Sequence, residues 1–178
     1  EFIYNNDLAA CLAGMGYRAV LTEGADKVLG WRSPNYLYRP VGCNGMGLLL
    51  RNYSLSDDIA FRFSDRQWPE YPLSVDKYAH WLHKAGEEGQ VINLFMDYET
   101  FGEHQWEATG IFEFMKRLPS EILKHPGFAF RTPKEIVQTE SPVASLDVPH
   151  FISWADAERD LTAWLGNALQ RDASRAIF

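Results

Sequence analysis

The stretch VINLFMDYETFGEHQW, from Val91 to Trp106, decides how the rest of the chain is read. It opens as an apolar run, Val91 to Met96, broken only by Asn93. A run of this length bounded by polar residues predicts a strand buried on both faces, the kind found in parallel sheets. Then come Asp97, Glu99, Glu103 and His104, with Gly102 among them and Tyr98, Phe101 and Trp106 interleaved. Barrels and other α/β proteins keep their chemistry at the carboxyl ends of such strands. A lone Asp after a strand more often belongs to a solvated loop. Four ionisable groups among three aromatics point to a site.

Outward from this stretch the chain alternates. Short strands are predicted at Glu1–Tyr4, Arg18–Thr22, Met46–Arg51 (MGLLLR) and Phe128–Arg131. Asn5, Asn6 and Asp7 cap a helix over Leu8–Ala13, closed by Gly14 and Gly16. Ala25–Leu29 adds a helical turn, and Trp31–Pro40 reads as an aromatic loop. Ser74 caps Val75–Ala85, whose Val75, Tyr78, Trp81, Leu82 and Ala85 keep helical spacing. Ile111–Leu118 is amphipathic and halts at Pro119, with a further turn over Glu121–Lys124. Thr132-Pro133-Lys134-Glu135 is a capping box with Pro at the first helical position. Ser141–Pro149 reads as a linker, and Ser153–Ile177 as one long helix opened by Ser153 and Asp156.

This alternation predicts an α/β fold with a parallel sheet. Five strands without closure predict part of a barrel, because a complete eightfold one takes about 250 residues. Residues 1–140 are thus expected to be a partial (β/α) barrel, and residues 141–178 a linker and the beginning of a helical bundle. Both ends read as internal to a longer polypeptide, whose remainder would be this region's partner.

The chain has 178 residues, enough for one domain with a sizeable core. A net charge of −7 argues against nucleic acid or an anionic membrane as partner. No apolar run is long enough to span a bilayer. Aromatic residues make up 14%, more than a core needs, which leaves rings to line a cleft and pack on flat apolar faces such as those of sugars. Cys11 and Cys43 form no disulfide framework and no CxxC site, which suits a reducing, cytoplasmic compartment. P-loop, GxGxxG, GxSxG and HExxH patterns are absent.

Two carboxylates share one architectural position. Glu23 follows the strand Arg18–Thr22, and Asp97 follows Val91–Met96. Parallel strands turn their carboxyl ends to one face, so both acids would open into one cleft. A nucleophile and a proton donor flanking a bond, about 5–5.5 Å apart, are the minimum apparatus of retaining glycoside hydrolysis. The bland alternative is that Glu23 caps the turn after it.

Asp97-Tyr-Glu-Thr-Phe-Gly-Glu-His104 closely resembles the fourth sequence signature of glycoside hydrolase family 57, and Ala19-Val-Leu-Thr-Glu-Gly24 resembles its third. The whole chain looks like the family's bacterial α-amylase-like branch, without its first two signatures. The resemblance implies a retaining α-glucan enzyme on an incomplete seven-stranded (β/α) barrel followed by a helical bundle, acting on α-1,4-glucans or maltooligosaccharides with no cofactor. It implies Glu23 as nucleophile and Asp97 as general acid/base. Glu99 would orient the site. Glu103 separates the Phe-Gly pair from His104, where many relatives carry a His or an aromatic at once.

Around these acids, Trp31, Asn35, Trp68 and Trp106 are candidate sugar platforms. Asp160, Trp164 and Asn167 recur on one helical face where the fifth signature falls, with Trp164 as bundle core the competing reading. Asp97, Glu99, Glu103 and His104 would alternatively bind a divalent ion. His80 and His83 stand at metal-pair spacing without a third ligand. Asp57, Asp58 and Asp65 read as caps or exposed charges. A transferase or branching enzyme, which intercepts the same intermediate with a sugar hydroxyl, a non-catalytic glucan-binding module and a metal-dependent hydrolase using the Asp97–His104 cluster are the functional alternatives.

Overall fold

A computed structural model describes residues 1–177. The first helix, α1 (Asn6–Gly14), starts where the Asn5 side chain accepts a hydrogen bond from the Leu8 amide at 2.9 Å, satisfying an amide that a helix start leaves free. β1 (Ala19–Glu23), α2 (Asp26–Leu29), β2 (Arg39–Pro40) and β3 (Gly47–Arg51) follow. Beyond them come α3 (Tyr53–Ala60), α4 (Val75–Gly86), α5 (Ile111–Ile122), α6 (Pro133–Thr139), β4 (Ser145–Leu146), α7 (Thr162–Leu165) and α8 (Ala168–Ile177). The architecture is mixed α/β with short parallel strands, β1 beside β3 and β2 beside β4.

β3 is the centre of this arrangement, and each of its residues is buried. Successive side chains on a strand point to opposite faces. Leu48 and Leu50 therefore join a core with Tyr4, Ala9, Leu146 and Val148, while Leu49 enters a smaller one with Leu37 and Ile136. Apolar material on both faces requires a continuously apolar strand, and Leu48-Leu49-Leu50 provides it. At Gly47 a Cβ would lie 2.4 Å from the Val137 side chain, so no larger residue fits. The register pairs Ala19 with Gly47 and Glu23 with Arg51, which sets an acid beside a base at the carboxyl end of the sheet.

α4 and α5 form a second layer. Val75, Tyr78, Ala79 and Leu82 pack with Ile111, Phe114, Leu118 and Ile122 at helical spacing on both helices. The expected stop at Pro119 does not occur. A proline inside a helix costs about 3 kcal/mol through its missing N–H and its clash one turn back. Ile122 buries beyond it, and the Pro119 carbonyl accepts the Leu123 amide at 3.1 Å, so the helix runs on. The capping box at Thr132 forms as expected, with Glu135 reaching back to the Thr132 amide at 2.7 Å.

Four expected elements are corrected. Val91–Met96 forms only one parallel bridge, Asn93 to Arg51, and is not buried on both faces: its residues are half-buried and Phe95 is exposed. Its polar groups find scattered partners instead of a ladder: the Val91 amide donates to the Asn35 carbonyl at 3.1 Å, the Asn93 carbonyl accepts the Asn52 amide at 2.9 Å, and side chains serve the rest. The Asn93 side-chain amide donates to the Leu50 carbonyl at 3.0 Å, the Phe95 amide donates to Ser56 Oγ at 3.1 Å, and the Phe95 carbonyl accepts from Arg51 Nε at 2.7 Å. Phe128–Arg131 is likewise no strand; Phe128 packs against His83 and His125. Glu1–Tyr4 reduces to one antiparallel bridge from Tyr4 to Ile152. The long helix over Ser153–Ile177 is broken: Ser153 Oγ accepts the Ala155 amide and donates to the Asp160 carbonyl, Asp156 and Arg159 adopt positive φ, and helix begins only at Thr162. Residues read as a linker contribute β4 and the buried Leu146 and Val148. No helix among the described residues is long and apolar enough to cross a membrane.

Candidate active site

Glu23 closes β1, and its side chain is fully buried. One carboxylate oxygen accepts the Gly24 amide at 2.8 Å. The other accepts two guanidinium donors, Arg51 Nη1 and Arg159 Nη1, each at 3.0 Å. Gly24 admits no side chain, since a Cβ would lie 2.4 Å from the Arg51 carbonyl, which itself accepts the Gly24 amide. Burial pushes the Glu23 carboxyl upward from its ordinary range, while Arg51, Arg159 and the Gly24 amide hold the rise in check.

Arg51 distributes its fork over three elements: Nε to the Phe95 carbonyl, Nη1 to Glu23 and Nη2 to Asp57 Oδ1 on α3 at 2.5 Å. The Trp154 ring covers its guanidinium at 5.4 Å. Phe2, Phe95 and Trp154 pack edge to face around it. Arg159 is held more loosely. It rests on the Tyr53 ring at 4.8 Å and shares its Nη1 with the Trp154 carbonyl. Tyr53 in turn donates to Asp26 at 2.8 Å.

Asp97 stands at the end of the neighbouring extended segment and leads into a single turn of 3-10 helix, Tyr98–Thr100. It is exposed, and its side chain does not cap that turn. A cavity of about 250 Å³ brings Asp97 and His104 together with Arg51, Asp57, Trp154 and Arg159. Glu23 lies behind the two arginines and does not line this cavity. A larger cavity of about 400 Å³, between Val91–Leu94 and Phe128–Arg131, contains neither acid.

The remaining candidates separate. Glu99 is exposed, and its carbonyl accepts the Glu103 and His104 amides at 3.2 Å, which folds the loop back on itself. Trp31 and Trp106 are among the most exposed aromatics, at 94% and 66%. Asn35 and Trp68 serve the interior: Asn35 bonds Asn52 at 3.0 Å, and Trp68 packs on the helical layer. Asp160 turns its carboxylate onto Thr162, whose amide and hydroxyl both donate at 2.7 Å and hold the carboxyl below its ordinary range. Trp164 lies on the exposed side of α7, and the Asn167 side chain accepts the Gln170 amide, so the three share no continuous helical face. His83 contacts the Ile122 carbonyl. Among the described residues no three or more His, Cys, Asp or Glu side chains gather as metal ligands would.

Four site residues escaped the sequence reading: Arg51, Asp57, Trp154 and Arg159. Arg51 carried a usable signal, a charge at the end of a wholly apolar strand. Asp57 is distinguished from Asp58 only by direction, since Asp58 is buried against Arg62 at 2.7 Å. Arg159 gave none, because a helix over this segment would have turned it elsewhere.

A buried carboxylate at a strand end thus stands on one side of the Arg51 and Arg159 pair, and an exposed one lines the cavity on the other, beside the Trp154 ring. The chain belongs to glycosyl hydrolase family 57, whose model matches residues 1–149. It is similar to the "Putative alpha-amylase" of Methanocaldococcus jannaschii, with 56% identity over 173 residues, covering 96% of this chain and 36% of that protein. The chain thus spans about a third of the length of this curated relative. No solved structure matches.

Proposed function

We propose that this chain is part of a retaining glycoside hydrolase acting on α-1,4-glucans or maltooligosaccharides, with Glu23 as nucleophile and Asp97 as general acid/base. The observation that carries the reading is that Glu23 and Asp97 end segments on opposite edges of β3, and that the arginines holding Glu23 line the cavity that holds Asp97. Burial raises the Glu23 carboxyl on balance, and two guanidinium groups and an amide oppose that rise, toward the ionised form that attack on an anomeric carbon requires. Asp97, facing the cavity and free of a capping bond, protonates the leaving glycosidic oxygen. It then takes a proton from the water that cleaves the glycosyl–Glu23 ester. Trp31, Trp106, His104, Glu99, Asp160 and Trp164 belong to the substrate-binding surface in this reading. The parallel strands are part of an incomplete seven-stranded barrel, completed by the rest of the polypeptide, in which β4 and Val148 share the core of residues 1–140 and the residues after them lead into a helical bundle. Two unpaired cysteines fit a cytoplasmic setting.

In the full-length polypeptide, Glu23→Gln is expected to lower maltooligosaccharide cleavage by roughly 10⁴-fold or more, and Asp97→Asn by about 10²- to 10⁴-fold. Undiminished hydrolysis in both variants rules out the assignment.

A further inference from the structure

A nucleophile must be reached by the carbon it attacks, yet the Glu23 side chain has no exposed surface. Its two arginine partners are not equivalent. Arg51 is fixed by three hydrogen bonds from three separate donor atoms, and its side chain is 4% exposed. Arg159 is 21% exposed, lines the cavity, and comes from an irregular segment in which its own φ is 51°. It is the partner that can leave.

A destination for it is at hand. Asp57 Oδ2 lies 3.9 Å from Arg159 Nη2, beyond hydrogen-bond length, while Asp57 Oδ1 is already engaged by Arg51. A small rotation of the guanidinium would exchange Glu23 for Asp57 and leave each charge in this buried network paired. Arg51 and the Gly24 amide would still hold Glu23 in place.

We propose that Arg159 is a positioning residue that gates Glu23: paired with Glu23 it covers the carboxylate, and transferred to Asp57 it opens Glu23 to a glucan in the cavity. The inference rests on Glu23 as nucleophile for its meaning in catalysis, but the gate itself is measurable without turnover. The movement exchanges the ion pair with Glu23 for one with Asp57, also strains or breaks the Nη1 hydrogen bond to the Trp154 carbonyl, and requires no co-reactant. A charge-assisted hydrogen bond sets the scale of the effect, about 10- to 100-fold in the balance between covered and open states.

The test is carbodiimide-driven coupling of an amine to carboxyl groups in the unliganded full-length polypeptide, followed by peptide mass spectrometry at Glu23, with exposed Asp97 as internal reference. Arg159→Ala should label Glu23 about 10- to 100-fold faster than wild type, relative to Asp97. Arg159→Lys, which keeps a charge but lacks the fork, should fall between and carries the test if the alanine variant does not fold. Asp57→Asn removes the destination and should label Glu23 more slowly than wild type. Opposite signs in Arg159 and Asp57 variants are what a gate requires; a merely structural role raises labelling in both. Unchanged labelling in the Arg159 variants, or a rise in Asp57→Asn, overturns the proposal. Retained hydrolysis in Glu23→Gln would instead sink the nucleophile assignment and leave the labelling result standing, so the two failures are distinguishable.

Discussion

Glu23 and Asp97 stand on opposite edges of the same strand and are built in opposite ways. Glu23 ends a regular strand, is wholly buried, and has both oxygens engaged by donors from β3, the Arg159 segment and its own chain neighbour. Asp97 ends an irregular segment, is exposed, and leads into a single turn whose amides it does not cap. The difference follows from the two edges of β3. Toward β1 the edge is paired along five residues. The opposite edge is divided between Tyr38 at Leu48 and Asn93 at Arg51, so no continuous ladder forms there. The contrast suits the proposed roles: a nucleophile benefits from a fixed, charge-matched seat, whereas a residue that exchanges protons twice needs access to water and to the leaving group.

The strongest way to break this contrast is to remove the fixed side. Arg51→Met should destabilise the fold by about 3–5 kcal/mol, because it strips a buried carboxylate of one partner and Asp57 of another. Chemical denaturation measures it, and a loss below about 1 kcal/mol would show that Arg159 alone suffices. Asn93→Leu tests the irregular side. It deletes the donor to the Leu50 carbonyl, at a cost of about 1–3 kcal/mol, and should lower activity by loosening the approach to Asp97.

The pH dependence sharpens the contrast further. Burial raises the Glu23 pKa above its ordinary 4.5, so between that value and the raised one the folded state binds more protons than the unfolded chain. Stability from this group is full below the ordinary value and declines as pH rises through the raised one. The stability of wild type relative to Glu23→Gln should therefore fall across that window. The charged groups facing Glu23 are Arg51 and Arg159, with Asp57 beyond them. Losing Arg159 removes a lowering influence, so the acidic limb of kcat/KM in Arg159→Ala should move to higher pH. At the small end, Asp97→Ala should leave stability within about 0.5 kcal/mol of wild type while abolishing most activity. A large stability loss there would mean that Asp97 is structural.

The legible parts of the molecule were those set by local chemistry. Asn5, Ser74 and Thr132 cap their helices as their side chains dictate, and MGLLLR forms the strand its apolar run predicts. Strand-end position, the acidic and aromatic cluster after Met96 and the two signature resemblances together brought Glu23 and Asp97 forward as candidates. What was not legible depended on distant partners. Asn93 was visible as a polar break, but its role as a donor to Leu50 required knowing that β3 lies alongside. The segment from Ser153 to Asp160 has helical spacing on paper, yet the pairing of Arg159 with Glu23, 136 residues away, accompanies a backbone that helix could not supply. Tertiary ion pairs override periodicity, and sequence spacing does not record them.

The central claim is that Glu23 bears the glycosyl group. The most direct measurement is mass spectrometry of the full-length polypeptide after exposure to a slow-turnover fluorinated maltosyl fluoride, with the labelled peptide sequenced. The account predicts one glycosyl adduct, on Glu23, and none when Glu23 is replaced by Gln. An adduct on Asp97, or cleavage with inversion at the anomeric carbon and no adduct at all, would contradict it.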